Sequence, residues 1–127
     1  MISFHELELN HELPVYVQII NHVKRQILIG EAVEDEALPS RREIATVLNV
    51  NPNTVQKAFK IMEEEGFVVP MKNAPSRIHL TEELTEEIRQ EMTVGLVSEF
   101  VRKAKANKLS FRKVVELLND LWEESEE

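Results

Sequence analysis

At 127 residues, 43% of them hydrophobic, the chain has enough apolar material for one small domain with an appendage or two very small ones, which excludes wholesale disorder. Its net charge is −8, so an anionic partner must be met by a local basic patch rather than by a basic average. The absence of cysteine excludes disulfides, thiolate catalysis and cysteine–zinc sites; with no basic-then-apolar leader and no apolar run near the ~18 residues that span a bilayer, a soluble cytoplasmic protein without membrane contact is expected.

Residues 1–13 (MISFHELELNHEL) hold a few apolar residues without helical period and read as a short extended lead-in. From Pro14 the pattern changes. Tyr16, Ile20, Val23 and Ile27 recur at helical spacing, which predicts an amphipathic helix that stops at Gly30. The acidic stretch EAVEDEALPS that follows reads as a solvated connector, the other reading being a surface for a basic partner.

Leu38 to Gly66 is the stretch around which the chain is organised. Ser40 opens a Ser-x-x-Glu box with Glu43, whose hydroxyl and carboxylate can satisfy free amides at a helix start. Ile44, Ala45 and Leu48 mark one apolar face of this first helix. Asn49 tolerates positive φ and can make the turn, and Val50 is the apolar plug between the helices. Asn51 and Pro52 then form an N-cap followed by proline at the first helical position. Val55, Ala58, Phe59 and Met62 make the buried stripe of the second helix, and Gly66 ends it. The spacing is that of a helix-turn-helix.

On the outer face of the second helix, Asn53, Gln56, Lys57 and Lys60 fall within roughly a third of the circumference. Side-chain amides suit base edges and ammonium groups suit phosphates. Glu64, one turn later on that face, would repel phosphate, so DNA should meet the N-terminal half of this helix. Between Leu38 and Lys60, Arg41, Arg42, Lys57 and Lys60 are opposed by Glu43 alone. Ser40, Arg41 and Arg42 at the start of the first helix complete the candidate DNA-facing set.

LPSRREIA, VNPNTVQKAF and EEEGFV together resemble the DNA-binding domain of GntR-family bacterial transcription regulators, over about Pro14 to Gly66. The short tail after it is similar to the YtrA-like subfamily. That resemblance implies a winged helix-turn-helix in which Arg42 contacts DNA from the first helix of the motif and Asn51, Asn53, Thr54 and Gln56 from the start of the second. It also implies a homodimer on a palindromic operator and a repressor, one that controls a transporter operon. Pro52 stands where many members outside the subfamily have arginine, so base reading there must differ from theirs.

After Gly66, FVVP and RIHL read as two short strands separated by MKNAPS, the wing of a winged helix. The family's wing usually contains glycines; here there are none, and two prolines appear. Lys72 and Arg77 keep some positive charge, and whether the wing touches DNA stays open.

Residues 81–127 form a second region, expected to be two helices. Thr81 caps the first, and Glu82, Glu83, Glu86 and Glu87 favour the positive end of its dipole. Leu84, Ile88, Met92, Leu96 and Phe100 recur every four residues, and Asn107 to Ser110 breaks the helix. Phe111, Val114, Val115, Leu118, Leu121 and Trp122 give a second amphipathic helix. Two such helices cannot bury their stripes on each other alone. Leu84, Ile88, Met92, Leu96, Phe100, Phe111, Val115, Leu118 and Trp122 are therefore the expected dimerisation residues. The overall expectation is a mainly α chain, with a DNA-binding winged helix-turn-helix over residues 1–80 and a helical dimerisation region over 81–127.

Catalysis and metal binding find little support. The histidines (His5, His11, His22, His79) are scattered without cysteine or clustered carboxylates at ligand spacing, which fits structural or surface roles. Glu63, Glu64 and Glu65 diverge around a helix and read as a solvated helix end. There is no glycine-rich phosphate loop and no nucleophile signature. No cofactor is expected, and the short tail leaves little room for the ~300 Å³ that effector pockets usually need. The competing reading is a winged helix used for protein binding without DNA, which the −8 charge favours and the amide-rich, locally basic helix face opposes.

Overall fold

The computed structural model describes residues 1–125; Glu126 and Glu127, which close the expected C-terminal region, lie outside them. Helices α1 (Val15–Leu28), α2 (Arg41–Leu48) and α3 (Pro52–Glu65) precede a hairpin of β1 (Val68–Met71) and β2 (Ala74–Ile78), and helices α4 (Glu82–Ala106) and α5 (Phe111–Glu124) follow. Mainly helical with a two-stranded antiparallel wing, this is the expected fold class. The chain divides into two compact units, Met1–Met92 and Thr93–Glu127, with the division inside α4.

Local chemistry explains the element ends in the first unit. Ser40 and Glu43 form the reciprocal box, each accepting a backbone N–H of the other. Asn49 closes α2 in the left-handed region at φ 56°, a conformation that asparagine tolerates better than most residues. The Asn51 side chain accepts from the Asn53 N–H at 2.8 Å, ahead of Pro52 in the first turn of α3. Gly66 ends α3 at φ 94°, where a Cβ would be strained. The core joins Ile19, Val23 and Ile27 of α1, Ile44 of α2 and Val55, Ala58, Phe59 and Met62 of α3 to Phe67, Val68 and Ile78 of the wing.

Three features depart from the sequence reading. Ile2 and Phe4 of the lead-in are buried in that core, and the Ile2 N–H donates to the Ala37 carbonyl at 3.1 Å. The acidic connector is partly tied down rather than simply solvated. Asp35 donates to the Ile78 carbonyl and Leu38 to that of Ser76, and Ile78 donates back to Glu36, so residues 35–38 run along β2. The wing is shifted from expectation: β1 keeps four residues but starts one later, β2 starts three residues earlier and ends at Ile78, and the loop shrinks to a two-residue turn at Lys72–Asn73 with Asn73 at φ 56°. Asparagine supplies the positive φ for which a glycine was missed. Pairing slips by one residue where Pro70 faces Pro75 and Ser76; the two prolines lack the N–H groups a regular ladder would need.

The second unit is different in kind. From residue 93 to 125, Ala104 alone is buried, and α5 buries none of its residues. Ser110 caps α5 by accepting from the Lys113 N–H at 3.1 Å, so the helix is locally well terminated.

Candidate nucleic-acid interface

The helix-turn-helix presents its polar residues in two groups. Arg42 at the start of α2 and Asn53, Gln56, Lys57 and Lys60 along α3 are exposed. Arg42 and Lys60 enter no ion pair among the described residues, which leaves their charges available to an anion. Lys57 differs: its ammonium lies 4.0 Å from the centroid of the Tyr16 ring. Because Val55, Ala58 and Phe59 are buried on the opposite side of α3, this face is held on a packed scaffold.

The remaining candidates do structural work as well. Ser40 and Asn51 spend an oxygen each on capping a helix, although both stay exposed, and Thr54 is half-buried. Arg41 departs most from expectation. Its guanidinium lies 4.7 Å over the Phe59 ring, and Nη2 donates to Glu63 Oε2 at 3.0 Å, so its charge is neutralised within the fold. Its Nε is buried without a hydrogen-bond partner. Glu63 is accordingly half-buried and paired, not part of a solvated helix end, and Glu65 pairs with Lys24. With Arg41 compensated, the basic face rests on Arg42, Lys57 and Lys60.

At the wing, Arg77 is turned back on the protein and donates from Nη1 to the Asp35 carbonyl at 2.8 Å. Lys72 is exposed at the hairpin tip. Of the wing's two cations, one therefore fixes the hairpin and one points outward from its turn.

Lys24 went unnoticed in the sequence because it lies beside the apolar stripe of α1. Its side chain is only 5% exposed, with Nζ at 2.9 Å from Glu65 Oε1 at the end of α3 and paired also with Glu91 of α4. Burial would lower its pKa, but the hydrogen bonds that the ammonium donates to Glu91 and Glu65 outweigh that and raise it, so the ammonium stays charged. Ile88 is buried in the same unit and Met92 packs against its core, with Leu84 half-buried. Three of the expected dimerisation residues thus lie against their own chain. Leu96, Phe100, Phe111, Val115, Leu118 and Trp122 remain exposed, with Phe111 84% and Trp122 73% accessible.

The family model for bacterial regulatory proteins of the gntR type matches residues 15–78, half of the chain and the whole of the helix-turn-helix with its wing. The chain belongs to the GntR family. It is a transcription regulator whose helix-turn-helix is a DNA-binding element. Among GntR relatives, the chain is 29% identical over 103 residues to the uncharacterized HTH-type transcriptional regulator YhcF of Bacillus subtilis, covering 81% of this chain and 85% of that one. It is 44% identical over 59 residues to the HTH-type transcriptional repressor YtrA of the same organism, covering 46% of this chain and 45% of that one. In three dimensions it is similar to a GntR family transcriptional regulator from Listeria monocytogenes, with a TM-score of 0.77 and 22% identity over 88% of this chain and 98% of that one. That likeness concerns the fold. No helix among the described residues is long and apolar enough to cross a membrane.

Proposed function

We propose that this GntR-family chain is a homodimeric repressor that reads a palindromic operator. The carrying observation is the exposed set Arg42, Asn53, Gln56, Lys57 and Lys60 on a helix pair whose other side is packed core. Amides at the start of α3 read base edges, and the three cations meet phosphates on either side. Ser40 and Asn51 hold the helix starts that approach the DNA backbone, and Thr54 lies half-buried in the first turn of α3; Arg41 acts through Glu63 rather than on DNA.

The second unit supports the dimer. Leu96, Phe100, Phe111, Leu118 and Trp122 are exposed on helices with good local caps, an arrangement that a second copy of the same surface would cover. Two reading heads on a two-fold axis match half-sites about one helical turn apart or a multiple of it. Repression is the role named for the similar YtrA. The transporter operon is the target class that the YtrA-like resemblance suggests.

Fluorescence anisotropy on operators selected from genomic DNA tests the reading. Affinity should fall steeply with salt, and Arg42→Ala should weaken binding without unfolding the chain. Unchanged operator affinity in the Arg42→Ala variant would remove the docking model. A monomeric chain in analytical ultracentrifugation, protecting one half-site, would remove the dimer.

A further inference from the structure

The contact between Lys57 and Tyr16 gives the first turn of α1 a part in the DNA-facing surface. Tyr16 is half-buried and packs against the core, so its ring has a fixed seat. Lys57 Nζ stands 4.0 Å from the ring centroid, well inside the distance at which the negative face of a tyrosine attracts an ammonium. Lysine is a flexible side chain that loses much rotamer freedom when a partner fixes it. A ring that holds the ammonium before DNA arrives removes part of that loss from the binding step. The ammonium has three N–H donors, and the ring occupies one side of it, so a phosphate oxygen can be met from the other. Lys60, one turn further along α3, has no such seat among the described residues.

We propose that Tyr16 is a positioning residue for Lys57, keeping its ammonium where a phosphate passes the first half of α3. The inference rests on the reading that this face meets DNA. It makes Lys57 the pre-organised cation of the face and Lys60 the mobile one.

A double-mutant cycle in the full-length chain tests this by anisotropy on one selected operator over a range of salt. Tyr16→Leu should weaken binding about two- to five-fold while Lys57 is present, the size of an exposed cation–ring contact, and should change nothing further in a Lys57→Ala background. Lys57→Ala should flatten the salt dependence by about one phosphate. An equal loss from Tyr16→Leu in both backgrounds would reduce Tyr16 to a core residue and overturn the proposal. Tighter binding by Tyr16→Leu would overturn it in the opposite sense, with the ring withholding Lys57 from DNA. Should Tyr16→Leu fail to fold, a series of increasingly fluorinated phenylalanines at position 16 varies the charge of the ring face at nearly constant shape. Affinity should fall stepwise along that series, and a flat series overturns the proposal. Losses in Arg42→Ala and Lys60→Ala alongside a flat series would leave the DNA-facing reading intact and sink only the role of Tyr16; no salt-dependent binding by the unmodified chain would sink both.

Discussion

Residues 1–92 bury their apolar stripes against one another, whereas residues 93–125 of the single chain leave theirs open. The contrast runs through one helix. Along α4, Leu84, Ile88 and Met92 lie half-buried or buried in the first unit, and Leu96 and Phe100, four and eight residues later in the same stripe, are exposed. Helical period shows that a face is apolar and is silent about what covers it. The first unit answers within the chain and the second asks for a partner, so a substitution in the stripe should act on folding before Thr93 and on assembly after it.

The largest expected effect separates those two outcomes. Ile88→Ala should cost about 2–5 kcal/mol of folding stability, as for other buried aliphatic truncations, and the loss should not depend on protein concentration. Leu96→Ala should change the stability of the first unit by no more than about 0.5 kcal/mol, and Leu96→Glu should abolish the concentration dependence of Tm that a dimer brings. Urea unfolding followed by circular dichroism at several concentrations distinguishes them. A Leu96→Ala loss as large and as concentration-independent as that of Ile88→Ala would erase the division between the two units.

Next in size is Lys24, the buried charge that ties α1 to the end of α3 and to α4. Lys24→Met should cost about 1–3 kcal/mol, since hydrogen bonds to charged groups are lost while Glu65 and Glu91 can still turn to water. The raised pKa sets the sign of its pH dependence. Its contribution is complete below about pH 10.5, the ordinary lysine value, and is lost only as pH rises through the higher folded value. Equal stability of the variant and the unmodified chain in urea would show that the ion pairs merely offset the desolvation of Lys24.

How much of this was legible depended on whether a residue's partner was local in sequence. Ser40 with Glu43, Asn51 with Pro52, and the stripe Val55, Ala58, Phe59, Met62 are local arrangements, and each was readable from spacing alone. The partners of Arg41 and Arg77 lie 22 and 42 residues away, in Glu63 and Asp35, so their charges looked available when they were already committed, and Lys24, whose partner Glu65 lies 41 residues away, went unnoticed. Ile2 and Phe4 were missed for another reason: two alternating residues are too few to establish a period. Looking for glycine hid the wing turn, which asparagine makes instead.

A smaller effect is expected at the wing, where the two cations should separate. Arg77→Ala should cost about 1 kcal/mol of stability through the lost bond to the Asp35 carbonyl. Lys72→Ala should leave stability unchanged and cost less operator affinity than Arg42→Ala. Thermal melts and anisotropy on the same samples check both. A Lys72→Ala loss exceeding that of Arg42→Ala would show that a proline-stiffened wing reads the groove.

The smallest effect is a pH dependence confined to the first unit, because all four histidines lie before residue 93. His22 is the buried one. Its Nε2 lies 2.8 Å from the Ser3 carbonyl and its Nδ1 3.3 Å from Arg25 Nη2, with the ring 4.8 Å from that of Phe4. Arginine can only donate, so Nδ1 accepts and Nε2–H donates to Ser3, which is the neutral tautomer. Burial pushes its pKa below 6.5; the Ser3 carbonyl opposes that, Arg25 adds to it and Glu6 opposes it more weakly. The unfolded chain therefore binds a proton near pH 6.5 that the folded chain still refuses. Stability should be level above that pH, fall as pH drops from 6.5 to the lower folded value, and level again beneath it. Melting the full chain from pH 7.5 to 5 measures this above the range where carboxylates ordinarily titrate. His22→Gln, which can still donate to Ser3 and accept from Arg25, should flatten the slope. If the slope survives in His22→Gln, His22 is not its source, and the packing of Ile2 and Phe4 beside it is indifferent to acid.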